Sequence, residues 1–561
     1  MKREHLIYIF FVLLIMINGI SCRNSSTPAE KEIVKKPEEM DDQVADNLKS
    51  VLEYAKDNNG KISDSLKLSL HHIVHSFYEE NEYRNLWSKK EHWMPLADSM
   101  FDFIEKSKYY GLYPNDYHFT DLASLRKKFI EDTVAKKDAV FWTRVDLLLT
   151  DAFMKAIKDL KEGRILPDSV SIIGKKRLVD SLFIKNLKAA ENLNSVAIVF
   201  NKVQPSGENY QFLKNALRSF ADSMDTTRYV YIRYPQKDSM NFIKSLQQRL
   251  SESGVADGGI LIPDSILLSM EIKKYQKNKH IKPDGKITAR LVSILNSTDL
   301  EKFKRIALTL DRYKQLPSLP ERYIWVNLPG FYLKVWDSDS IVIESKVIVG
   351  KPATRTPVLT SQITDMVIYP LWTIPASIIK KDILPALKKD PGYLARKGFN
   401  LVDSKGESVD PYSVNWEKYK KGIPWNVQQG SGDDNALGIF KFNFNNPYSV
   451  YLHDTNQRYL FKNSGRALSH GCVRVQNWQE LAYYIAKNDS LNLPAGKKIS
   501  YNIDSIKTWI TNKSRKRIIL KNKVPLFIEY FTCEAKNNKV IFYEDIYNDD
   551  KMYTEKYFAN K

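Results

Sequence analysis

The chain is poor in cysteine, with three among its 561 residues. Small exported domains often depend on disulfide bonds, and so few thiols exclude that source of stability here. Cys22 lies near the amino terminus, which leaves Cys472 and Cys533 for the main body of the chain. We expect Cys533 to pack in a strand and Cys472 to stay free, because a bond between the two would silence a nucleophile.

The amino-terminal apolar run, from Leu6 to Ile17, lacks the length of about 20 residues that a membrane-spanning helix needs. It follows the basic start Met1-Lys2-Arg3, and a short apolar run after basic residues is typical of a signal peptide. We therefore predict a signal peptide at 1–21 and export of the mature chain.

Cys22 directly follows Ile20-Ser21 and resembles the cysteine of a bacterial lipobox, with Gly19 where leucine is usual. We expect lipidation at Cys22 and a lipid anchor in a membrane. Ordinary cleaved secretion and an uncleaved anchor are the alternatives. The predicted location is the bacterial cell envelope, on the side that faces the periplasm.

Acidic residues are in the minority, with 66 against 85 lysines and arginines, which gives a formal net charge of +19. Such an excess attracts nucleic acid, anionic lipid or an acidic polymer. An exported protein seldom meets nucleic acid, so we predict no nucleic-acid partner. A solvated lysine-rich surface without a partner is the alternative explanation.

The length exceeds what one hydrophobic core supports, so we predict several domains. The polar and charged stretch 22–49 is predicted to be a flexible tether. Apolar residues at steps of three or four predict a helical domain at 50–235, beginning with Leu66, Leu70, Ile73 and Phe77. A smaller helical module is predicted at 240–297, where the turns Asp257-Gly258 and Asp284-Gly285 precede apolar runs.

The pattern changes to strands at about Tyr323. β-Branched and aromatic residues with partial alternation predict a mainly antiparallel β sandwich or barrel at 321–498. The segment 374–429 interrupts it with the helix-like stretch Ile378–Lys389. Strand-like runs in the tail predict a C-terminal β extension at 499–561. The predicted fold class is therefore multidomain α+β. The strand-like runs of the main part are Tyr323–Leu328, Tyr332–Trp336, Ile341–Val349, Met366–Tyr369, Gly438–Phe444 and Ser449–His453.

One short stretch carries most of the chemical information: Ser469-His470-Gly471-Cys472-Val473-Arg474-Val475. A thiol with a pKa of about 8.5 is a weak nucleophile at neutral pH unless a neighbouring base takes its proton. His453 is our candidate base, and it lies too far upstream to share a helical face with Cys472. A strand ending at His453 and a loop returning to Cys472 would bring them together.

The residues around the thiol suit an acyl-transfer site. Gly471 has no Cβ atom, so its backbone can adopt angles that other residues avoid and let a substrate carbonyl approach. The N–H groups of Cys472, Gly471 and His470 are candidates for an oxyanion site. Arg474 can hold a substrate carboxylate through two hydrogen bonds or brace the loop. Whether His453 or His470 is the base stays open.

These residues resemble the signature of YkuD-type L,D-transpeptidases, in which a histidine precedes a Ser/Thr-His-Gly-Cys motif. The resemblance implies that Cys472 is the nucleophile, that His453 is the base and that the Asp454 carbonyl orients the imidazole. It also implies substrate-binding roles for Arg474, Ser469, Tyr451 and Trp372. Other segments resemble the long YcbB-like subfamily, namely Val326-Asn327-Leu328-Pro329, Val349-Gly350-Lys351-Pro352, Thr356-Pro357, Tyr369-Pro370-Leu371-Trp372 and Asn435-Ala436-Leu437-Gly438.

The same resemblance gives roles to the other domains. It implies a scaffold domain at 50–235 and a peptidoglycan-binding-like domain at 240–297, for which a plain spacer is the alternative. It implies that the insertion at 374–429 is a lid over the active site, for which a surface elaboration is the alternative.

The activity implied by the resemblance is transpeptidation on peptidoglycan tetrapeptide stems, through a cysteine thioester, to give 3→3 cross-links. The family needs neither a metal nor an organic cofactor. Hydrolysis by an L,D-carboxypeptidase and attachment of a lipoprotein are alternative outcomes of the same thioester. A non-catalytic peptidoglycan-binding lipoprotein is an alternative from another class. We expect a monomer that touches the membrane through its lipid anchor.

Overall fold

The computed structural model describes residues 28–165, 178–235, 238–256, 265–491 and 499–558. The predicted signal peptide, Cys22 and the turn Asp257-Gly258 lie outside these residues. Among these residues, no helix combines the length and the hydrophobicity that a membrane-spanning segment needs. The described chain forms two compact units, one from 28–164 with 178–225 and one from 226–558.

The first unit is helical, as its apolar spacing predicts. Its longest helix, α5 (Ala139–Lys161), begins after Asp138, whose carboxylate accepts a hydrogen bond from the Val140 N–H. Nearly every side chain of α5 is buried, so this helix forms the centre of the unit. The elements are α1 (Met40–Asp57), α2 (His71–Glu80), β1 (Ser88–Lys89), β2 (His92–Trp93), α3 (Pro95–Glu105), α4 (Phe119–Glu131), α5 (Ala139–Lys161), α6 (Asp180–Leu193), α7 (Val196–Val203) and α8 (Glu208–Ser223).

A buried carboxylate on α5 ties neighbouring segments to it. Asp146 accepts hydrogen bonds from the Tyr78 hydroxyl at 3.0 Å, the Leu86 N–H at 2.6 Å and the Ser88 hydroxyl at 3.1 Å. Burial raises the pKa of Asp146 to about 6, and these donors oppose the rise. Asp146 therefore fixes α2 and the β1–β2 hairpin against the central helix.

The tether predicted at 22–49 is wrong for the part that the structure describes. The Val34 N–H donates a hydrogen bond of 2.8 Å to the Lys137 carbonyl. From residue 40 the chain is helical, because an apolar side chain recurs every fourth residue among the charged ones. The face of α1 that is buried contains Met40, Val44, Leu48 and Leu52.

The small helical module starts earlier than its predicted boundary at 240. The Ile232 N–H donates to Asn296 Oδ1 at 2.9 Å, and the Ile232 carbonyl accepts from Asn296 Nδ2 at 2.8 Å. Ile232 also packs in the core of the module. The helical domain therefore ends before 235, its last helix closing at Ser223. The helices of the module are α9 (Ser239–Glu252), α10 (Ser265–Asn278) and α11 (Ala289–Asn296).

The rest of the second unit is mainly β. After α12 (Asp299–Gln315), most strands follow the predicted runs within a few residues, because these runs are rich in β-branched and aromatic side chains. The strands are β3 (Arg322–Asn327), β4 (Tyr332–Asp337), β5 (Ser340–Gly350), β6 (Leu359–Ile368), β7 (Trp372–Thr373), β8 (Phe399–Val402), β9 (Asn426–Gln429), β10 (Phe440–Phe444), β11 (Leu452–His453), β12 (Ala467–Ser469), β13 (Val473–Val475), β14 (Lys516–Glu529), β15 (Cys533–Lys536) and β16 (Lys539–Phe542).

The main sheet closes on itself, because the long strand β5 pairs with β4 along one half and with β13 further on. The strand order is β12-β5-β13-β11-β10-β6-β14-β3-β4. Most pairs are antiparallel, and β11–β13, β12–β5 and β14–β3 are parallel. The helical unit followed by this sheet confirms the predicted α+β class. The side chains that fill the inside of the sheet include Met366, Phe442, Leu452, Val473 and Ile518.

The insertion at 374–429 folds around a small core of its own. Strands β7, β9 and β8 form a separate sheet, in which Trp372 pairs with Gln429 at the base of the insertion. The predicted helix Ile378–Lys389 is present, interrupted by a π-helical turn. The helical pieces are α13 (Ala376–Ile378), the π turn (Ile379–Ile383), α14 (Leu384–Lys389) and α15 (Tyr393–Arg396).

The strands predicted for the C-terminal extension at 499–561 are present, but the longest of them belongs to the main sheet. Strand β14 lies between β6 and β3 and buries Leu526 and Ile528. The hairpin β15–β16 begins at Cys533, which is fully buried and free, as predicted, with its sulfur 3.2 Å from Thr309 Oγ1. The remaining helices are α16 (Trp478–Leu491), α17 (Ile503–Thr511) and α18 (Asp549–Tyr557).

Candidate active site

Three neighbouring strands put a row of basic side chains on the outer face of the sheet. Lys441 of β10 pairs with His453 of β11, and His453 pairs with Arg474 of β13. Directly paired residues point to the same face of a sheet, while the residues next to them along each strand point to the other face. The adjacent residues Phe442, Leu452 and Val473 are buried in the core, so the row lies on the opposite side.

Cys472 is half-buried at the end of the loop that leads into β13. Its sulfur lies 3.9 Å from the Ser449 carbonyl, and Tyr451 contacts it through both its backbone and its hydroxyl. Burial raises the pKa of the Cys472 thiol, and Tyr451, Lys441 and Arg474 oppose that rise. In the described chain no hydrogen bond joins the sulfur to His453. The hydrogen-bonding neighbours of the thiol are therefore the Ser449 carbonyl and Tyr451, and not the predicted base.

His453 is 4% exposed, and its ring is held neutral. Burial and then the positive Arg474 lower the pKa of His453 to about 3, while the carbonyls of Asp454 and Leu437 oppose this. The Nδ1 atom has no hydrogen-bond partner among the described atoms. A neutral imidazole with a free nitrogen is the form that accepts a proton.

The loop before Cys472 is held by a chain of hydrogen bonds from other segments. The Thr356 hydroxyl donates to the Gly471 carbonyl at 2.8 Å and accepts from the Gly350 N–H at 2.9 Å. The Tyr547 hydroxyl donates to the Gly350 carbonyl at 2.8 Å. Gly471 has a φ of 125°, a conformation that favours glycine. These contacts explain why the motifs around 350 and 356 accompany the thiol motif.

Ser469 holds the loop through two hydrogen bonds, and its role in substrate binding stays a prediction. Its buried hydroxyl donates to the Cys472 carbonyl at 2.6 Å and accepts from the Gly471 N–H at 3.1 Å. The Gly471 N–H is therefore occupied and is not available to an oxyanion. Within the described ranges the Cys472 N–H has no acceptor, which leaves it as the donor best placed for that task.

His470 points to the insertion. Its Nε2 atom lies 3.1 Å from Asp382 Oδ2, in the π turn, and its side chain is 41% exposed. Trp372, at the base of the insertion, lies close enough to the Tyr451 hydroxyl to lower the pKa of that group, which burial raises. The insertion therefore contacts the thiol loop through Asp382, and Trp372 at its base reaches Tyr451, the residue before β11.

The Arg474 guanidinium group donates a hydrogen bond through one of its nitrogen atoms. Its Nη1 atom donates to Gln457 Oε1 at 3.0 Å, while its Nε atom is buried and has no partner in the described structure. Arg474 thus braces the segment after β11 and keeps donors for a carboxylate. Both of the roles that the sequence left open are compatible with this position.

The residues after His453 are fixed by the motif Asn435–Gly438. The Asn435 amide donates to the Gly430 carbonyl at 2.7 Å. Gly438 has a φ of 63° and lies so close to the Asp454 carboxylate that a side chain would collide with it. The same carboxylate accepts from the Ile439 N–H at 3.0 Å and from Arg458 at 2.5 Å. Asp454 therefore orients the strand end that carries His453.

An open groove of about 520 Å³ runs along the site. It begins beside Ser449, whose carbonyl faces the Cys472 sulfur, and continues past Lys441. Its lining is mostly polar and comprises Lys441, Asn443, Phe444, Asn445, Asn446, Ser449, Val450 and Tyr451.

Residues 321–494 match the family model YkuD, described as the L,D-transpeptidase catalytic domain. The chain carries a YkuD catalytic domain. Residues 72–217 match a second model, described as a scaffold domain. The YkuD match contains the whole row of basic side chains and the thiol loop, and it ends before β14, which completes the sheet. Membership of the YcbB-like subfamily stays a prediction.

One curated relative is a Haemophilus influenzae protein named "Putative L,D-transpeptidase". It is 33% identical over 249 residues, which are 44% of this chain and 48% of the relative. The chain thus matches about half the length of this relative. Its similarity supports the family of the catalytic domain and leaves the activity of the whole protein to be proposed.

Two solved structures are similar to the YkuD-containing chain. An L,D-transpeptidase from Mycobacterium smegmatis has 10% identity and a TM-score of 0.18, covering 37% of this chain and 58% of that one. An L,D-transpeptidase from Stackebrandtia nassauensis has 16% identity and a TM-score of 0.15, covering 51% of this chain and 88% of that one. At these scores neither structure supports a conclusion about the site.

Sequence analysis did not identify some of the residues that form the YkuD site. Lys441 lies on a strand that was predicted, and its pairing with His453 follows only from the strand register. Tyr547 lies far along the chain, in a segment predicted to be a separate extension. Thr356 was noted in a motif, but its hydrogen bond to Gly471 depends on two loops meeting.

Proposed function

We propose that this protein is an L,D-transpeptidase that forms 3→3 cross-links in peptidoglycan through a thioester on Cys472. The observation that carries the proposal is the half-buried thiol beside a free Cys472 N–H, in a domain of the YkuD family. A nucleophile needs a donor close by for the oxyanion, and a sulfur with its own N–H unoccupied supplies both.

In the first half-reaction Cys472 attacks the carbonyl of the third residue of a tetrapeptide stem. The sulfur loses its proton to His453, whose neutral ring and free Nδ1 suit a proton acceptor. The S–C bond forms, the amide C–N bond breaks, and the protonated imidazole gives its proton to the leaving D-alanine amine. The Cys472 N–H stabilises the oxyanion between these steps.

Contact between His453 and the sulfur is expected to tighten when substrate binds, since catalytic hydrogen bonds are often long in free enzymes. In the second half-reaction the side-chain amine of another stem attacks the thioester. His453 takes the proton of that amine, the C–S bond breaks and the sulfur leaves as thiolate. The new amide is the 3→3 cross-link.

The proposed setting is the bacterial cell envelope. Export by the signal peptide and lipidation of Cys22 would hold the protein at a membrane facing the periplasm. The net charge of +19 supports attraction to carboxylate-bearing stems. The module at 226–297 is proposed to bind peptidoglycan, and the insertion with its contact from Asp382 to His470 is proposed to act as a lid. The protein is proposed to act as a monomer.

Two other outcomes share the same thioester. Water as the acceptor would make the protein an L,D-carboxypeptidase, and an amine of a lipoprotein would make it an attachment enzyme. The polar groove along Lys441 and Tyr451 favours a peptide acceptor over water, because it extends the site well beyond the sulfur.

The test is to incubate the full chain, and its Cys472→Ala variant, with disaccharide-tetrapeptide and to weigh the products. The proposal expects dimers that lack one D-alanine, made by the wild type alone, and a covalent acyl-enzyme on Cys472. Monomeric tripeptide alone would establish the carboxypeptidase instead. Binding of the muropeptide without any product from either protein would favour the non-catalytic alternative.

A further inference from the structure

Lys441 is a half-buried cation inside the site, and no carboxylate of the described residues forms an ion pair with it. Its ammonium nitrogen lies 3.9 Å from the centroid of the Tyr451 ring. In the described residues it forms neither a hydrogen bond nor an ion pair. The nearby carboxylate of Asp365 is occupied, since it accepts from Asn443 at 2.7 Å and from Arg517 at 3.0 Å. Asp365 therefore acts on Lys441 through its charge and not as a direct partner.

Tyr451 lies between this cation and the nucleophile. Its ring carries the Lys441 ammonium on one side, and its hydroxyl contacts the Cys472 sulfur. A hydrogen bond of 3.1 Å from the Val473 N–H to the Tyr451 carbonyl fixes the register of the two strands. Since a cation over an aromatic face is held by the electrons of the ring, this arrangement keeps the ammonium in place.

We propose that Lys441 is a positioning residue, whose charge, held over Tyr451, stabilises the thiolate form of Cys472. This inference rests on the proposed function, because it assumes that Cys472 is the nucleophile. In the step concerned the S–H bond breaks, the proton goes to His453 and the electron pair stays on the sulfur. Lys441 keeps its own protons throughout.

The electrostatics of the site favour such a group. Burial alone disfavours a thiolate, and an imidazolium at His453 is disfavoured by its own burial and by Arg474. A histidine partner by itself would therefore leave the thiolate poorly stabilised. Lys441 and Arg474 supply two positive charges that oppose the rise in the pKa of Cys472. Burial lowers the pKa of Lys441, and the Cys472 sulfur and then Asp365 oppose that change.

The test measures the rate of Cys472 alkylation by iodoacetamide as a function of pH, on the full chain, with a Cys472→Ser variant to subtract reaction at other thiols. Lys441→Met and Lys441→Gln are expected to slow alkylation at pH 7 by about tenfold and to move the profile to higher pH. Lys441→Arg, which keeps the charge, is expected to restore most of the rate.

The matched control is Lys334→Met. The Lys334 ammonium also lies over a tyrosine, 4.5 Å from the Tyr332 ring, but on β4. Its removal is expected to leave the alkylation profile unchanged. Thermal unfolding of each variant identifies those that fold, and Lys441→Gln, which keeps a polar end, decides the test if Lys441→Met does not fold.

An alkylation profile that is the same in the wild type and in the folded Lys441→Gln variant would overturn the inference. A higher KM with an unchanged profile would also overturn it and would make Lys441 a substrate-binding residue. The proposed function fails separately, through the absence of cross-linked product from the wild type, and alkylation of Cys472 can still be measured in that case.

Discussion

The hydroxyl of Thr356 donates a hydrogen bond of 2.8 Å to the carbonyl of Gly471, the residue before the thiol Cys472. The same hydroxyl accepts from the Gly350 N–H, so one buried oxygen joins the thiol loop to the end of β5. The position of the sulfur therefore depends on a side chain that touches neither the sulfur nor the groove.

Replacing that hydroxyl tests its importance. Thr356→Val keeps the shape of the side chain but leaves the Gly350 N–H and the Gly471 carbonyl without partners, which costs about 1–3 kcal/mol for a buried group. We expect turnover of the tetrapeptide to fall by at least tenfold, with a lower melting temperature. Thr360→Val, on an exposed position of β6, is the control and should change neither. Unchanged turnover in Thr356→Val would show that the loop holds its shape without this bond.

Much of the catalytic unit follows from the sequence, and the reasons are local. Alternating β-branched and aromatic residues locate the strands near 323, 332 and 341, and the motif at 469–475 identifies the thiol. The position of β14 could not be predicted, because a run of apolar residues does not tell which strands flank it. Pairing of Lys441 with His453 depends on that long-range register as well.

The prediction for the amino-terminal segment was wrong for a different reason. Charged residues in 22–49 suggested that the segment could not bury enough apolar surface to fold. Four apolar residues spaced by one helical turn are enough when a neighbouring core receives them, as α1 demonstrates. Composition describes the average polarity of the whole segment, whereas packing requires only that one face of the helix be apolar.

Gly471 gives a second test of the loop. Its φ of 125° lies where a residue with a Cβ atom is strained by about 1–3 kcal/mol, so Gly471→Ala should displace the loop. We expect a large loss of acyl-enzyme formation, measured by intact mass, with a smaller change in melting temperature. Gly465→Ala, at an open position of the same segment, is the control and should retain activity. Equal acylation of the two variants would contradict the role given to this backbone.

His453 predicts a specific pH dependence of stability. Its pKa is about 3 in the folded protein, against about 6.5 in an unfolded chain, so the unfolded chain binds the proton more tightly. The neutral His453 ring therefore contributes fully to stability above pH 6.5, and this contribution is lost as the pH falls from 6.5 towards 3. We expect this loss in the wild type and its absence in His453→Gln, measured by denaturant unfolding across that range.

The control for His453 is His280→Asn, at an exposed position of the same unit with a φ of 52°, which asparagine tolerates. This variant should follow the wild-type curve. If His453→Gln and the wild type lost stability in parallel between pH 6.5 and 3, the ring would not be held neutral by burial.

Asp382 tests whether the insertion acts on the site. Its carboxylate contacts His470 Nε2 at 3.1 Å, the contact that joins the π turn to the thiol loop. We expect Asp382→Asn to change KM for the tetrapeptide several-fold while leaving iodoacetamide alkylation of Cys472 unchanged, because only the larger ligand needs the insertion. Asp403→Asn, in the same insertion but in a turn of its own, is the control. Identical KM values for the two variants would favour a surface elaboration.

Asp146 predicts how the helical unit responds to mutation. Asp146→Ala leaves the Leu86 N–H and the Ser88 hydroxyl without an acceptor in a buried place, so we expect a loss of about 3 kcal/mol in the free energy of unfolding. Asp121→Ala, at an exposed position in the first turn of α4, should change it little.

Because Asp146 is buried, the effect of Asp146→Ala on the free energy of unfolding should depend on pH. Because the pKa of Asp146 is raised to about 6 in the folded state, against about 3.9 when unfolded, the folded chain binds the proton more tightly. Proton binding by Asp146 therefore stabilises the folded wild type fully below pH 3.9, and this stabilisation is lost as the pH rises through 6. The Asp146→Ala variant should lack it. The difference between the two proteins should therefore shrink from pH 4 to pH 7 in urea unfolding. A difference that grew over this range would mean that the carboxylate is charged in the core and is stabilised there by its hydrogen-bond donors.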